Sequence, residues 1–119
     1  MTRKVVAVST LIAALFVLEG VLSAQGPEGQ IDELVALDND SVRVALLTFP
    51  PGSASGRHIN IGPEMGIVLE GELTLVTPNG REVLGPGTVH YLPILTPHDA
   101  RNEGNRPVKL WALLLKKCD

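Results

Sequence analysis

A chain of 119 residues, 45% apolar and 19% charged, has the composition of one compact globular domain; it is too short for two and too apolar for a disordered chain. A net charge of −3 and only four aromatic residues (Phe16, Phe49, Tyr91 and Trp111) leave neither the basic patch nor the stacked-ring platform that nucleic-acid binding requires. Twelve glycines and nine prolines argue against a helical bundle, because both interrupt helix interiors.

The chain opens with Met1-Thr2-Arg3-Lys4, then runs uncharged from Val5 to Leu18, and continues Glu19-Gly20-Val21-Leu22-Ser23-Ala24-Gln25. A short basic start, an apolar run and small residues at its exit have the form of a secretory signal peptide. The run falls short of the roughly 18–20 residues that span a bilayer core. Residues 1–24 are therefore read as a signal peptide cleaved after Ala24, with Ser23 the alternative last residue removed. The expected mature chain has 95 residues and a net charge of −4. It is expected to be exported, to the periplasm or outside a presumed bacterial cell, with no stable membrane insertion after cleavage. The lone Cys118 rules out an internal disulfide.

Residues 25–33 are polar and contain Gly and Pro, and read as a loose leader to a domain over 34–117. Short apolar runs then alternate with turn residues: 34–37, 42–49, 57–61, 65–69, 72–77, 82–84, 88–92, 98–102 and 108–115. Pro78-Asn79-Gly80 is the strongest turn among them. No mature segment keeps a 3.6-residue period over three turns, and short strands with turns every 8–12 residues indicate an all-β sandwich or barrel. Leu73, Thr74 and Leu75 alternate as on a half-buried strand, whereas 42–49 and 110–115 are apolar on both faces. Two doubly apolar strands in so small a domain point to a partner subunit, and a homodimer is expected.

Two stretches carry the chemistry. On a strand, His58 and Asn60 point to the same side. Glu64 follows a Gly62-Pro63 turn that can return its carboxylate to that face, and His98 can meet them from another strand. Two imidazoles and a carboxylate converging in an interior form an N/O site suited to divalent first-row metals.

The spacing within these stretches resembles the paired motifs of the cupin superfamily of small jelly-roll barrels. Gly52, His58, Glu64 and Gly71 stand in the register of the first motif, with Asn60 where a second histidine belongs. Gly87, Pro93, His98 and Asn102 stand in the register of the second, with Leu95 replacing its middle glycine. The resemblance implies a single jelly-roll (cupin) β-barrel following the signal peptide. It also implies a metal site made by His58, Glu64 and His98, with Asn60 at the fourth ligand position. The ion is a divalent metal, with Fe, Mn, Zn and Ni not distinguished by this donor set. A neutral amide is a weaker donor than imidazole, so Asn60 implies looser binding or a water in its place.

What remains is the two-histidine, one-carboxylate set of non-haem iron oxygenases. The expected function is a metal-binding cupin acting on a small organic molecule, with a dioxygenase as the enzymatic form. The alternative is a non-catalytic module that holds a small ligand with a weakened or absent metal site. His90 alternates with Tyr91 and has two readings: an outward or hydrogen-bonded residue, which is the common case, or an inward one that replaces the missing ligand or acts as an acid–base group. Arg57 reads as an exterior charge, and Arg101 as a surface ion pair, with approach to an anionic substrate as its alternative. Neither a phosphate loop nor a nucleophile elbow is present.

Overall fold

The computed structural model describes residues 30–116. The signal peptide assigned to 1–24, residues 25–29 of the leader, Lys117 and Cys118 lie outside the described residues. Eight strands follow in order: β1 (Asp32–Asp38), β2 (Val42–Phe49), β3 (Glu64–Glu70), β4 (Leu73–Thr77), β5 (Gly80–Leu84), β6 (Val89–Leu92), β7 (Asp99–Arg101) and β8 (Val108–Leu115). Among the described residues there is no helix. β1 begins two residues before the expected domain start: Asp32 and Glu33 pair with Thr48 and Leu47, so the leader ends earlier than residue 33.

The strands form two antiparallel sheets, ordered β1-β2-β8-β3-β6 and β5-β4-β7. Alternation dictates what lies between them. Phe49 of β2, Val68 of β3, Leu92 of β6 and Val108 and Leu110 of β8 meet Leu73 and Leu75 of β4 and Leu84 of β5 in one core. Each such buried side chain contributes about 1.5–3 kcal/mol relative to exposure. The doubly apolar runs prove to be β2 and β8, both interior to the five-stranded sheet. Their second faces form two apolar rows: Val44, Leu113 and Met65 pair across β2, β8 and β3, and so do Leu46, Trp111 and Ile67.

The expected barrel is not closed. The residues of 50–63 that would complete the small sheet meet β7 in one isolated bridge, Ala54 to Arg101, and the residue before it in a second, His58 to His98. Six prolines and glycines in this segment (Pro50, Pro51, Gly52, Gly56, Gly62 and Pro63) prevent a continuous ladder, since proline lacks the donor and Gly52 and Gly56 take positive φ of 83°. The run 57–61 is accordingly not a strand. At the other rim a cleft of about 460 Å³ separates β6 from the β4–β5 hairpin.

Candidate metal and ligand site

The site begins with a backbone bridge. The His58 amide donates to the His98 carbonyl and the His98 amide to the His58 carbonyl, both at 2.9 Å. This reciprocal pair places side chains forty residues apart on one spot, with ring centroids 4.2 Å apart and planes tilted by 58°. Gly56 makes the approach: its amide donates to Asp99 Oδ1 at 3.1 Å, while its carbonyl receives His58 Nδ1 at 2.8 Å. His98 Nδ1 likewise donates to the Thr96 carbonyl at 2.9 Å. A carbonyl only accepts, so both Nδ1 atoms carry the proton, and in the neutral rings both Nε2 atoms keep a lone pair. This second-sphere arrangement is the one that orients a histidine toward a metal.

Glu64 opens β3 immediately after Pro63, and its Oε1 lies 3.4 Å from His98 Nε2. The carboxylate raises the His98 pKa above the ordinary imidazole value, assisted by the Thr96 carbonyl and opposed by burial. Asn60 Nδ2 donates to the same oxygen, Glu64 Oε1, at 2.5 Å. Asn60 was expected at a ligand position on the His58 face of a strand. No strand carries it, and its amide nitrogen, which has no lone pair to give, faces the carboxylate. In this geometry Asn60 positions Glu64.

Ser55, His58, Glu64, His90 and His98 line a cavity of about 90 Å³ over Leu47, Phe49, Leu73, Leu75, Ala100 and Leu110. A second cavity of about 140 Å³ shares Leu47, His58 and Glu64 with it and is rimmed by Glu33, Arg43 and Asn60. The outward or hydrogen-bonded reading of His90 does not hold. Its side chain is 8% exposed, faces the interior, and leaves Nδ1 without a hydrogen-bond partner. Burial pushes its pKa below the ordinary value, with Glu64 acting against that shift and His98 with it. Arg101 pairs with Asp99 and Glu103 at 3.9 and 3.7 Å, and Arg57 is exposed, as an exterior reading requires.

Two donors on one ion, each about 2.0–2.2 Å from it, stand a little over 3 Å apart. The separation of His98 Nε2 and Glu64 Oε1 fits that spacing, and the neutral Nε2 and carboxylate are suited to a divalent first-row ion. A third donor is not yet in register: among the described residues no group of three or more His, Cys, Asp or Glu is placed to hold a metal.

The sequence reading assigned no role to Asn102. It is buried, and its Nδ2 donates to the carbonyls of Phe49 at 2.9 Å and Arg106 at 2.8 Å, while its Oδ1 accepts from Gly104 at 3.0 Å. Asn102 thus ties the end of β2 to the β7–β8 loop. The signal for this was its motif register, which marks a structural position as well as a chemical one.

A two-sheet antiparallel fold with this histidine–carboxylate pairing defines a class of small jelly-roll proteins. The family model described as cupin domain matches residues 45–115, and the chain belongs to that family. Among solved structures, a cupin superfamily protein from Desulfitobacterium hafniense is similar, with 20% identity, a TM-score of 0.71, and coverage of 78% of this chain and 84% of that one. A predicted oxalate decarboxylase from Thermotoga maritima matches at 23% identity and TM-score 0.67, covering 71% of this chain and 79% of that one. A polyketide cyclase from Streptomyces resistomycificus matches at 19% identity and TM-score 0.68, covering 76% and 69%. At these identities the likeness concerns the fold, which carries unlike reactions in these two relatives. A search of curated protein sequences finds no match.

Proposed function

We propose that this cupin binds a divalent metal through His58, Glu64 and His98 and acts on a small organic molecule. The reading is carried by the 3.4 Å approach of His98 Nε2 to Glu64 Oε1, with both Nδ1 atoms held by backbone carbonyls. His58, whose ring centroid lies 4.2 Å from that of His98, would supply the third donor. A bound ion of this kind supplies Lewis acidity and, for iron, oxygen chemistry at an open position. The chain's own residues do the rest. Asn60 holds the carboxylate in place, and an apolar floor of Leu47, Phe49, Leu73, Leu75, Ala100 and Leu110 lies beneath it. Dioxygenation is the reaction class to assay first.

Elemental analysis of the isolated protein, and of protein reconstituted with iron, manganese, nickel or zinc, tests the proposal. Stoichiometric metal that is lost in His98→Ala is the expected result. Protein that holds no metal in either preparation overturns it. The second reading is then a ligand-binding module without metal, favoured by the Asn60–Glu64 hydrogen bond and the unassembled third donor. Export by cleavage after residue 24 is part of the proposal, and N-terminal sequencing of the protein from the periplasmic or culture fraction tests it.

A further inference from the structure

Two features of β3 and β6 each cost stability, and they occur at one place. His90 buries an imidazole whose Nδ1 has no partner, although the great majority of buried polar groups are hydrogen-bonded. Opposite it in the ladder stands Gly66, where a Cβ would lie 2.1 Å from His90 Cε1. β3 therefore gives up a side chain in its interior, where glycine is unfavourable, to cradle a ring that is itself unsatisfied.

The position of that ring supplies the reason. His90 lines the cavity it shares with Glu64 and His98, and it also lines the cleft between β6 and the β4–β5 hairpin. It thus stands where the outer cleft meets the site. We propose that His90 recognises the organic ligand, a small molecule with two oxygen functions: one held at the Glu64–His98 pair and the other hydrogen-bonded to the His90 imidazole. The ligand enters by the cleft. This inference rests on the metal-site reading above and adds the group that selects the ligand.

The chain has three histidines, so long-range 1H–15N spectra of histidine-labelled protein resolve every ring. Glycolate, with a carboxylate and a hydroxyl, is compared with acetate, which lacks the hydroxyl, in zinc-loaded and metal-free protein. Glycolate is expected to shift the His90 ring nitrogens and acetate to leave them in place. In His90→Phe, glycolate affinity falls about tenfold, the value of one hydrogen bond, while acetate affinity holds. The same variant gains thermal stability, by about 4–8 °C, because the unpaired polar atom is gone. Unmoved His90 nitrogens in excess glycolate overturn the proposal, as does a folded variant that keeps its glycolate preference. The wild-type spectra, together with His90→Asn, decide the case where the phenylalanine variant does not fold. Failure of the metal reading is separately visible: zinc then leaves the nitrogens of His58 and His98 unmoved.

Discussion

Leu95 holds a left-handed backbone conformation, with φ of 59°, and its amide donates to the Asn60 carbonyl at 2.9 Å. It is the third residue of a turn closed by Thr96 N to Pro93 O at 3.3 Å, a position where positive φ favours glycine. The motif glycines Gly52, Gly71 and Gly87 also have positive φ, of 83°, 79° and 86°, so Leu95 shares with a side chain the backbone region that these glycines occupy without one. The strained turn anchors the segment that carries Asn60, and through it the hydrogen bond to Glu64.

Replacing Leu95 by glycine should relieve that strain. A non-glycine residue in this region costs about 1–2 kcal/mol, and the greater unfolded-state freedom of glycine offsets part of the gain. Leu95 is 56% exposed, so little packing is lost. The expected stabilisation is about 0.5–1 kcal/mol in urea denaturation, with Leu95→Ala showing no gain. Equal effects of the two substitutions would remove the strain argument.

Gly66→Ala should force the His90 ring from its place, since the added carbon overlaps the ring. Such overpacking costs about 1–3 kcal/mol. The cost should shrink in a His90→Ala background, so that a double-mutant cycle shows clear coupling. Additive behaviour would mean that the two positions do not meet.

Acid and base act oppositely on the two buried imidazoles of the metal-free protein. The folded-state pKa of His98 is raised by Glu64, so its pairing contributes fully below the unfolded value of about 6.5 and is lost as pH rises through the raised value. The pKa of His90 is depressed by burial, so its contribution is present above about 6.5 and is lost as pH falls below that. Glu64→Gln should therefore be most destabilising below about pH 6.5, with the difference from wild type closing in urea melts as pH rises through the raised His98 value. A difference constant over that range would show that His98 does not titrate against Glu64.

Asn102→Ala strands the carbonyls of Phe49 and Arg106 and the Gly104 amide near the core. A loss of about 2–3 kcal/mol is expected, read from thermal or urea unfolding, with metal content per folded molecule unchanged.

The apolar rows Val44–Leu113–Met65 and Leu46–Trp111–Ile67 lie on the face of the large sheet turned away from the core. We expect a second copy of the chain to cover them, in keeping with the obligate-interface character of a continuous apolar sheet face. Analytical ultracentrifugation should give the mass of two chains for wild type and of one for Leu46→Lys. A monomeric wild-type protein would refute it.

The strands, their order of polarity and the turn positions were legible in the sequence, because alternation and turn chemistry are local. Motif spacing likewise paired His58 with His98 across forty residues. Three features depended on partners that a single chain order does not display. Residues 57–61 look like a strand but make only one bridge, because the prolines and glycines of 50–63 break the ladder toward β7. Asn60 reads as a ligand by position, yet its amide turns to Glu64, a choice made by the nearest acceptor. His90 has both an outward and an inward reading in the sequence, and its pairing with Gly66, which makes room for the ring inside, decides for the inward one. The abundant glycine and proline therefore did more than exclude helices: composition determined a β fold, while cross-strand register decided which imidazoles face the cavity. Register is set by packing between distant strands, where a shift of one residue would turn every side chain to the opposite face.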